Sequence, residues 1–319
     1  MDFGRTHAHT GHPPPAIPPD EPGNDYILCG RVVPTAVARV GLSTWGDRAY
    51  RGSLYPADAA PAEYLGHYGR LFSTVELSAT FYGLPPMERL ERWRAAVPPR
   101  FRFLPKVSRE ATHRRALDGT DTVLEELTAR LDVLEDRRGP VLLQLPPSFA
   151  PTPENARRLR SAVAVLGPQT AVELRHGGWF ANTPTSSGGA APAAGRLPPA
   201  AGALGGTGAT LCTTDTLGAR DVVHSLLTAP RFVLRFVAAG EPGMDAARAS
   251  QWADRINYWF TRGLEQAYVY VHLDDPVRAL ELVEVFRRRL APYLPDGLSP
   301  GPATPAAAPP RPDGQLPLF

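Results

Sequence analysis

Between residues 37 and 274 the chain repeats one pattern: a short, nearly unbroken apolar run, then a longer stretch with helical spacing. The runs are Val37–Ser43, Leu71–Ser78, Phe101–Lys106, Pro140–Leu145, Thr170–Arg175, Ala209–Asp215, Arg231–Phe236 and Ala267–Asp274. Helical segments fall at Pro61–Arg70, Pro86–Ala96, Thr120–Arg137, Pro153–Leu166, Asp245–Arg262 and Val277–Leu290. Runs without polar alternation belong to strands of a parallel sheet covered on both faces. Thr120 and Asp121 read as a helix cap, and Pro61, Pro86 and Pro153 sit where a first-turn proline belongs. Eight strands in this order predict an α/β fold, a (β/α)8 barrel of the TIM type. A doubly wound open sheet gives the same alternation. Its glycine-rich phosphate turn is missing after the first run, which continues Gly41-Leu42-Ser43-Thr44-Trp45-Gly46.

Proline and glycine, 36 and 29 residues, concentrate in 10–24, 182–208 and 295–317. That divides the chain into a disordered N-terminal tail (1–36), a barrel (37–292) with a flexible insertion at 183–208, and a Pro/Ala-rich C-terminal tail (293–319). His7, His9 and His12 fall in the first tail and read as solvated rather than metal-binding. The net charge is +2, so bulk charge does not announce nucleic-acid binding and any anion site must be local. Cys29 and Cys212 make neither a disulfide framework nor a zinc ligand set. The first residues lack a secretory signal pattern, and no apolar run approaches the roughly 18 residues of a membrane helix. These features predict a soluble, cytoplasmic chain with no membrane association.

The chemistry of a barrel gathers at the C-terminal ends of its strands, where residues two apart share a face. There the sequence places Glu76 and Ser78, Lys106, Gln144, Glu173 with Arg175 and His176, Asp215, Arg235, and His272 with Asp274. Of the 34 cationic residues only Lys106 is a lysine, which singles it out because an ammonium and a guanidinium are not interchangeable. We assign catalysis to Glu76, Lys106, Glu173 and Asp215. Substrate binding falls to Ser43, Trp45, Ser78, Tyr82, His113, Gln144, Arg175, His176, Arg235, His272 and Asp274. The cations suit a phosphate or carboxylate, and the carboxylates suit acid–base work. A satisfied polar network plugging the barrel mouth is the structural alternative. His with Asp or Glu could also hold a divalent metal, but no His-x-x-x-His or Cys-x-x-Cys spacing is present, so the cofactor is left unassigned. Trp45, Phe81, Tyr82, Trp179 and Phe180 lie at the same level and could stack on a base or sugar, or simply cover the barrel end.

These residues also carry a resemblance. Gly41 to Trp45, Arg51-Gly52 and Tyr55-Pro56 form a first block. Thr74-Val75-Glu76, Thr80-Phe81-Tyr82 and Leu84-Pro85 form a second, and Phe101-Arg102-Phe103, Lys106 and Thr112-His113 a third. Gln144 to Pro147 with Phe149, and Ala171 to His176 with Trp179-Phe180, complete the set. The chain resembles the YecE-like family, catalogued as domain of unknown function 72. The resemblance implies a (β/α)8-type barrel and supplies no settled activity. Departures are Thr44 at a family glycine, Asp274-Asp275 in place of Asn-Asn, and the insertion at 183–208.

The last five residues, Gln315-Leu316-Pro317-Leu318-Phe319, resemble the bacterial sliding-clamp-binding pentapeptide. Gln315, Leu316, Leu318 and Phe319 would be its anchors on a Pro/Ala-rich tether. Three readings follow. The first is a hydrolase-like enzyme acting on a phosphate- or sugar-containing, nucleic-acid-related substrate and recruited to the DNA polymerase sliding clamp. The second is a hydrolase or isomerase of a small sugar or sugar phosphate. The third is a non-catalytic adaptor for nucleic acid or protein.

Overall fold

The computed structural model describes residues 15–182, 197–295 and 298. Among them, eight strands alternate with helices. The strands are β1 (Val37–Leu42), β2 (Thr74–Leu77), β3 (Arg102–Pro105), β4 (Val141–Leu145), β5 (Thr170–Leu174), β6 (Thr210–Asp215), β7 (Arg231–Val237) and β8 (Gln266–His272). The helices are α1 (Tyr64–Leu71), α2 (Ala79–Tyr82), α3 (Met87–Ala96), α4 (Asp121–Leu131), α5 (Pro153–Leu166), α6 (Pro199–Leu204), α7 (Pro242–Arg262) and α8 (Pro276–Arg289). Every anticipated run carries a strand. Residues of β2, β4, β5 and β6 are buried throughout, which is why those runs read without alternation. The Thr152 hydroxyl accepts from Asn155 N ahead of Pro153, starting α5 as a capped helix. Thr120 does not cap α4: its hydroxyl is buried without a partner.

The fold is α/β with parallel strands, but among the described residues they do not form a single closed eight-stranded ladder. Hydrogen bonding links β1-β8-β7-β6-β5-β4 in one sheet and β2-β3 in another. At the β1/β2 seam Gly41 lies so close to β2 that a Cβ would meet Thr74 O at 2.0 Å. The buried Tyr68 hydroxyl fills the seam, accepting from Leu42 N (2.7 Å) and donating to Thr74 O (2.9 Å). At the β3/β4 seam Gly139 N donates to Phe103 O and Val107 N to Leu142 O. Tyr68→Phe should therefore leave a buried N–H and a buried C=O unpaired and cost about 1–3 kcal/mol, measured by urea denaturation.

Two packing layers surround the strands. Leu104, Leu142, Ala171, Cys212, Val233, Tyr268 and Tyr270 form a small inner cluster. A larger cluster fills the space between strands and helices, with Trp252 and Trp259 of α7 packed against Phe232 of β7. The expected N-terminal tail is not disordered over residues 15–36. Asn24 is buried, donates to Ser225 O and accepts from Leu227 N, while Asp20 accepts from Trp259 Nε1. Proline-rich composition hid these polar anchors. The insertion is likewise not loop throughout, since residues 199–204 form α6, whereas 183–196 lie outside the described residues. Past residue 292, Tyr293 stacks on Phe260. No helix among the described residues is long and apolar enough to cross a membrane.

Candidate active site

The inner cluster fixes which strand residues face the same way, and the site lies one layer above it. Two residues beyond Leu104, Leu142, Ala171, Cys212, Val233 and Tyr270 stand Lys106, Gln144, Glu173, Thr214, Arg235 and His272. Arg235 ties the layer together. Its Nε and Nη2 donate to Glu76 Oε1 and Oε2 (2.7 and 3.2 Å), and Nη1 donates to Glu173 Oε2 (3.0 Å). Gln144 Nε2 donates to the same Glu173 oxygen (2.7 Å), and Arg175 Nε to the other (2.6 Å). His272 Nε2 is 2.8 Å from Glu76 Oε1.

Burial works against both carboxylates, yet their partners win. At Glu76 the charges of Arg235 and His272 overcome desolvation and hold the carboxyl far below its ordinary range. At Glu173 desolvation is outweighed by Arg175, Arg235 and the Gln144 hydrogen bond, leaving the pKa at about 2. Both stay ionised at neutral pH. Among the described residues three cations, Arg235, Arg175 and Lys106, face these two negative charges, a local surplus of one positive charge.

Lys106 is where that surplus is uncompensated. Its Nζ sits 3.9 Å from the Phe81 ring centroid and makes no hydrogen bond or ion pair among the described residues. Burial first, then the Arg235 charge, pulls its pKa down to about 8, with Glu173 and Glu76 resisting. The backbone is held rigidly: Thr80 Oγ1 accepts from Lys106 N (2.9 Å) and donates to Lys106 O (2.7 Å). His113 stands edge-on to Phe81 at 5.3 Å with Nδ1 2.8 Å from Thr112 Oγ1. Burial and the nearby Lys106 and Arg175 lower its pKa to about 4, so it is neutral under ordinary conditions.

Other expected members lie elsewhere. Asp215 turns away from the layer. It is fully buried against α7, paired with Arg248 (3.0 Å) and Arg220, and accepts from Trp252 Nε1 (2.7 Å). The inward residue of β6 is its neighbour Thr214, whose buried hydroxyl has no partner among the described residues. Trp45 packs edge-on against Trp93 and Phe103, and Trp179 donates to Phe149 O while stacking on that ring. Phe180 stacks on buried His224. His176 Nδ1 accepts from Gly178 N, shaping the turn after β5. Ser43 and Ser78 are half-buried at the ends of β1 and β2, and Asp274 is exposed after β8. Tyr82 is exposed, one residue beyond Phe81. Among the described residues no three His, Cys, Asp or Glu side chains are grouped as metal ligands would be. Thr80 and Thr214 were not singled out in the sequence; only the parity of β6 and the Thr80-Phe81-Tyr82 block signalled them.

The sequence profile described as "Protein of unknown function DUF72" matches residues 39–306. The chain belongs to the DUF72 family. Among its relatives, the UPF0759 protein YecE of Escherichia coli (strain K12) is 28% identical over 252 residues, 73% of this chain and 87% of YecE. The UPF0759 protein YunF of Bacillus subtilis is 31% identical over 148 residues, about half (51%) of its own length. The crystal structure of a DUF72 family protein, TM1631 from Thermotoga maritima, shares the fold with a TM-score of 0.62. It is 21% identical and is covered over 99% of its length by 80% of this chain. The profile spans every residue of the strand-end layer, so the DUF72 region contains the whole candidate site.

Proposed function

We propose that the strand-end layer is a hydrolase-like active site for a phosphate-bearing substrate, with Lys106 as the group that holds and moves a proton. The half-buried ammonium of Lys106, with no hydrogen bond or ion pair among the described residues, carries this reading. An anion would complete its coordination and cancel the positive surplus. A pKa near operating pH suits proton transfer to a leaving oxygen. Glu76 and Glu173, assigned acid–base roles from sequence, instead hold Arg235 in place. A two-carboxylate glycosidase needs an acid of raised pKa, whereas Glu76 and Glu173 are both lowered, which favours a phosphoryl over a neutral glycosidic substrate. The exposed ring of Tyr82 beside Phe81 offers a face to a base or sugar attached to that phosphate. We propose with it that the strands form a (β/α)8-type barrel and that the phosphate-bearing substrate is nucleic-acid-related.

A panel of phosphomonoesters, phosphodiesters and nucleotides, read by thermal shift and turnover, tests it. Lys106→Met should weaken binding of any stabilising compound by about tenfold or more and cut turnover by about 10²–10⁴-fold. Lys106→Arg should keep part of the binding but not the turnover. Because the ammonium is the binding form, affinity should be full below the pKa of about 8 and decline as pH rises through it. A panel in which no phosphate compound stabilises the wild type, or a flat pH profile, sinks the proposal.

Recruitment to the DNA sliding clamp is a separate part of the proposal. It rests on Gln315, Leu316, Leu318 and Phe319, which lie outside the described residues. A synthetic peptide ending in Gln315–Phe319 should bind purified clamp in about the micromolar range. Deleting Leu318 and Phe319 should abolish the interaction of the full chain. A peptide with no saturable binding at a few hundred micromolar, on the order of fifty times weaker, removes the clamp as a partner.

A further inference from the structure

At the opposite end of the strands lies a second concentration of positive charge. Arg39 on β1, Arg102 on β3, Tyr268 and Gln266 on β8, and Gln169 just before β5 line a cleft of about 540 Å³, within the range of small-ligand sites. Arg39 is only 9% exposed, and its Nε is buried without a partner. Its guanidinium carbon lies 5.5 Å from the centroid of the Tyr268 ring. Arg102 donates from Nη1 to Pro99 O and Phe101 O (2.7 and 2.8 Å) and has no carboxylate partner among the described residues.

The acids on the cleft wall relieve this only in part: Asp136 acts on Arg102 from a distance, and among the described residues neither acid is ion-paired with Arg39 or Arg102. Glu135 is paired with Arg94, and Asp136 with Arg137. Arg138, also on the wall, is paired with Asp132. The pKa of Arg102 is lowered by burial and then by the Arg39 charge, so the two guanidiniums feel each other. Arg231 adds a third, with its Nη1 on the carbonyl of Pro168, a cleft residue, and its Nε buried without a partner. A buried guanidinium without a counter-charge is costly to keep. Buried Arg39 and half-buried Arg102, facing one cleft, leave donors that a phosphate's oxygens match in geometry and charge.

We propose that this cleft is a second ligand site, separate from the strand-end layer, that binds a small phosphate-bearing anion through Arg39 and Arg102. Gln169, Gln266 and Tyr268 supply uncharged polar groups beside the guanidiniums and set which anion fits. The site stands apart from Lys106 and does not depend on the reaction proposed there.

Calorimetric titration with inorganic pyrophosphate at constant ionic strength tests the proposal. The titrated protein is full-length Lys106→Met, in which the strand-end ammonium cannot contribute. Saturable binding is expected, and adding Arg39→Met should weaken it by about tenfold or more. Arg39→Met should melt no lower than its parent, because it removes an unpaired buried charge and keeps the chain length. If that variant does not fold, Arg102→Gln is read in its place, with the same loss expected. The proposal is overturned by no saturable binding up to about ten millimolar pyrophosphate, far weaker than a useful anion site. It is equally overturned by an affinity that the arginine substitution leaves unchanged.

Discussion

Arg235→Met is expected to destabilise the protein by about 3–5 kcal/mol near neutral pH, the scale of breaking a buried ion pair by removing one partner. Arg235 is the shared cation of two buried carboxylates, bidentate to Glu76 and single to Glu173. In the wild type, Glu173 titrates at about 2 and Glu76 is also lowered, both below the ordinary glutamate value. Their stabilisation is therefore present above about pH 4 and lost as pH falls toward the folded-state values. Without the guanidinium, Glu173 keeps Arg175 but Glu76 keeps only His272, and burial pushes the Glu76 carboxyl up. A raised carboxyl reverses the sign: the variant loses stability as pH rises through it. The gap between variant and wild type should thus be widest near neutral pH and narrow toward pH 4, measured by urea denaturation at a series of pH values. Adding Glu76→Gln should recover about 1–3 kcal/mol of the loss by removing the stranded charge. A gap that does not change with pH would show that lost packing, not charge, explains the variant.

The strands were legible because both of their faces are buried, so the apolar runs have hard edges. The seams were not. Tyr68 reads as one more aromatic on an amphipathic helix, and nothing local says that its hydroxyl substitutes for ladder bonds between β1 and β2. Gly41 is equally silent until Thr74 is seen against it. In the site, Lys106, Glu76, Glu173, Gln144, Arg175, Arg235 and His272 were found by their place at strand ends, and the structure joins them into one layer. Their roles were less legible, because a carboxylate's availability depends on which cation faces it, a long-range fact. Trp179 and Phe180 read equally as a stacking rim or as a cover for the strand ends, and their burial favours the second; strand-end position alone does not reveal burial. Residues 15–36 read as a tail because single polar anchors such as Asn24 leave no periodic trace.

On β6 period two separates Thr214 from Asp215, and the residue that reads as catalytic from the sequence is the one that faces the helices. Cys212 faces the inner cluster, so Thr214 shares its side and Asp215 must face the helices. Asp215→Ala is expected to cost about 3–5 kcal/mol. It removes one of the two buried carboxylates that neutralise Arg248, leaving Asp245, removes a partner of Arg220 and leaves Trp252 Nε1 without its acceptor. Asp215→Asn keeps one acceptor oxygen and should lose less, though it still leaves the guanidiniums under-neutralised. Ligand affinity at the strand-end layer should be unchanged in whatever fraction of either protein is folded. Thr214→Val should behave in the opposite way. Its hydroxyl is already unpartnered, so the isosteric change should be neutral or stabilise by up to about 1 kcal/mol. If that hydroxyl completes its hydrogen bonding on a bound ligand, the same change should weaken binding several-fold. Urea denaturation and ligand titration on both variants decide the orientation of β6. Normal stability with lost binding in Asp215→Ala would place Asp215 in the site and undo the layer assignment for that strand.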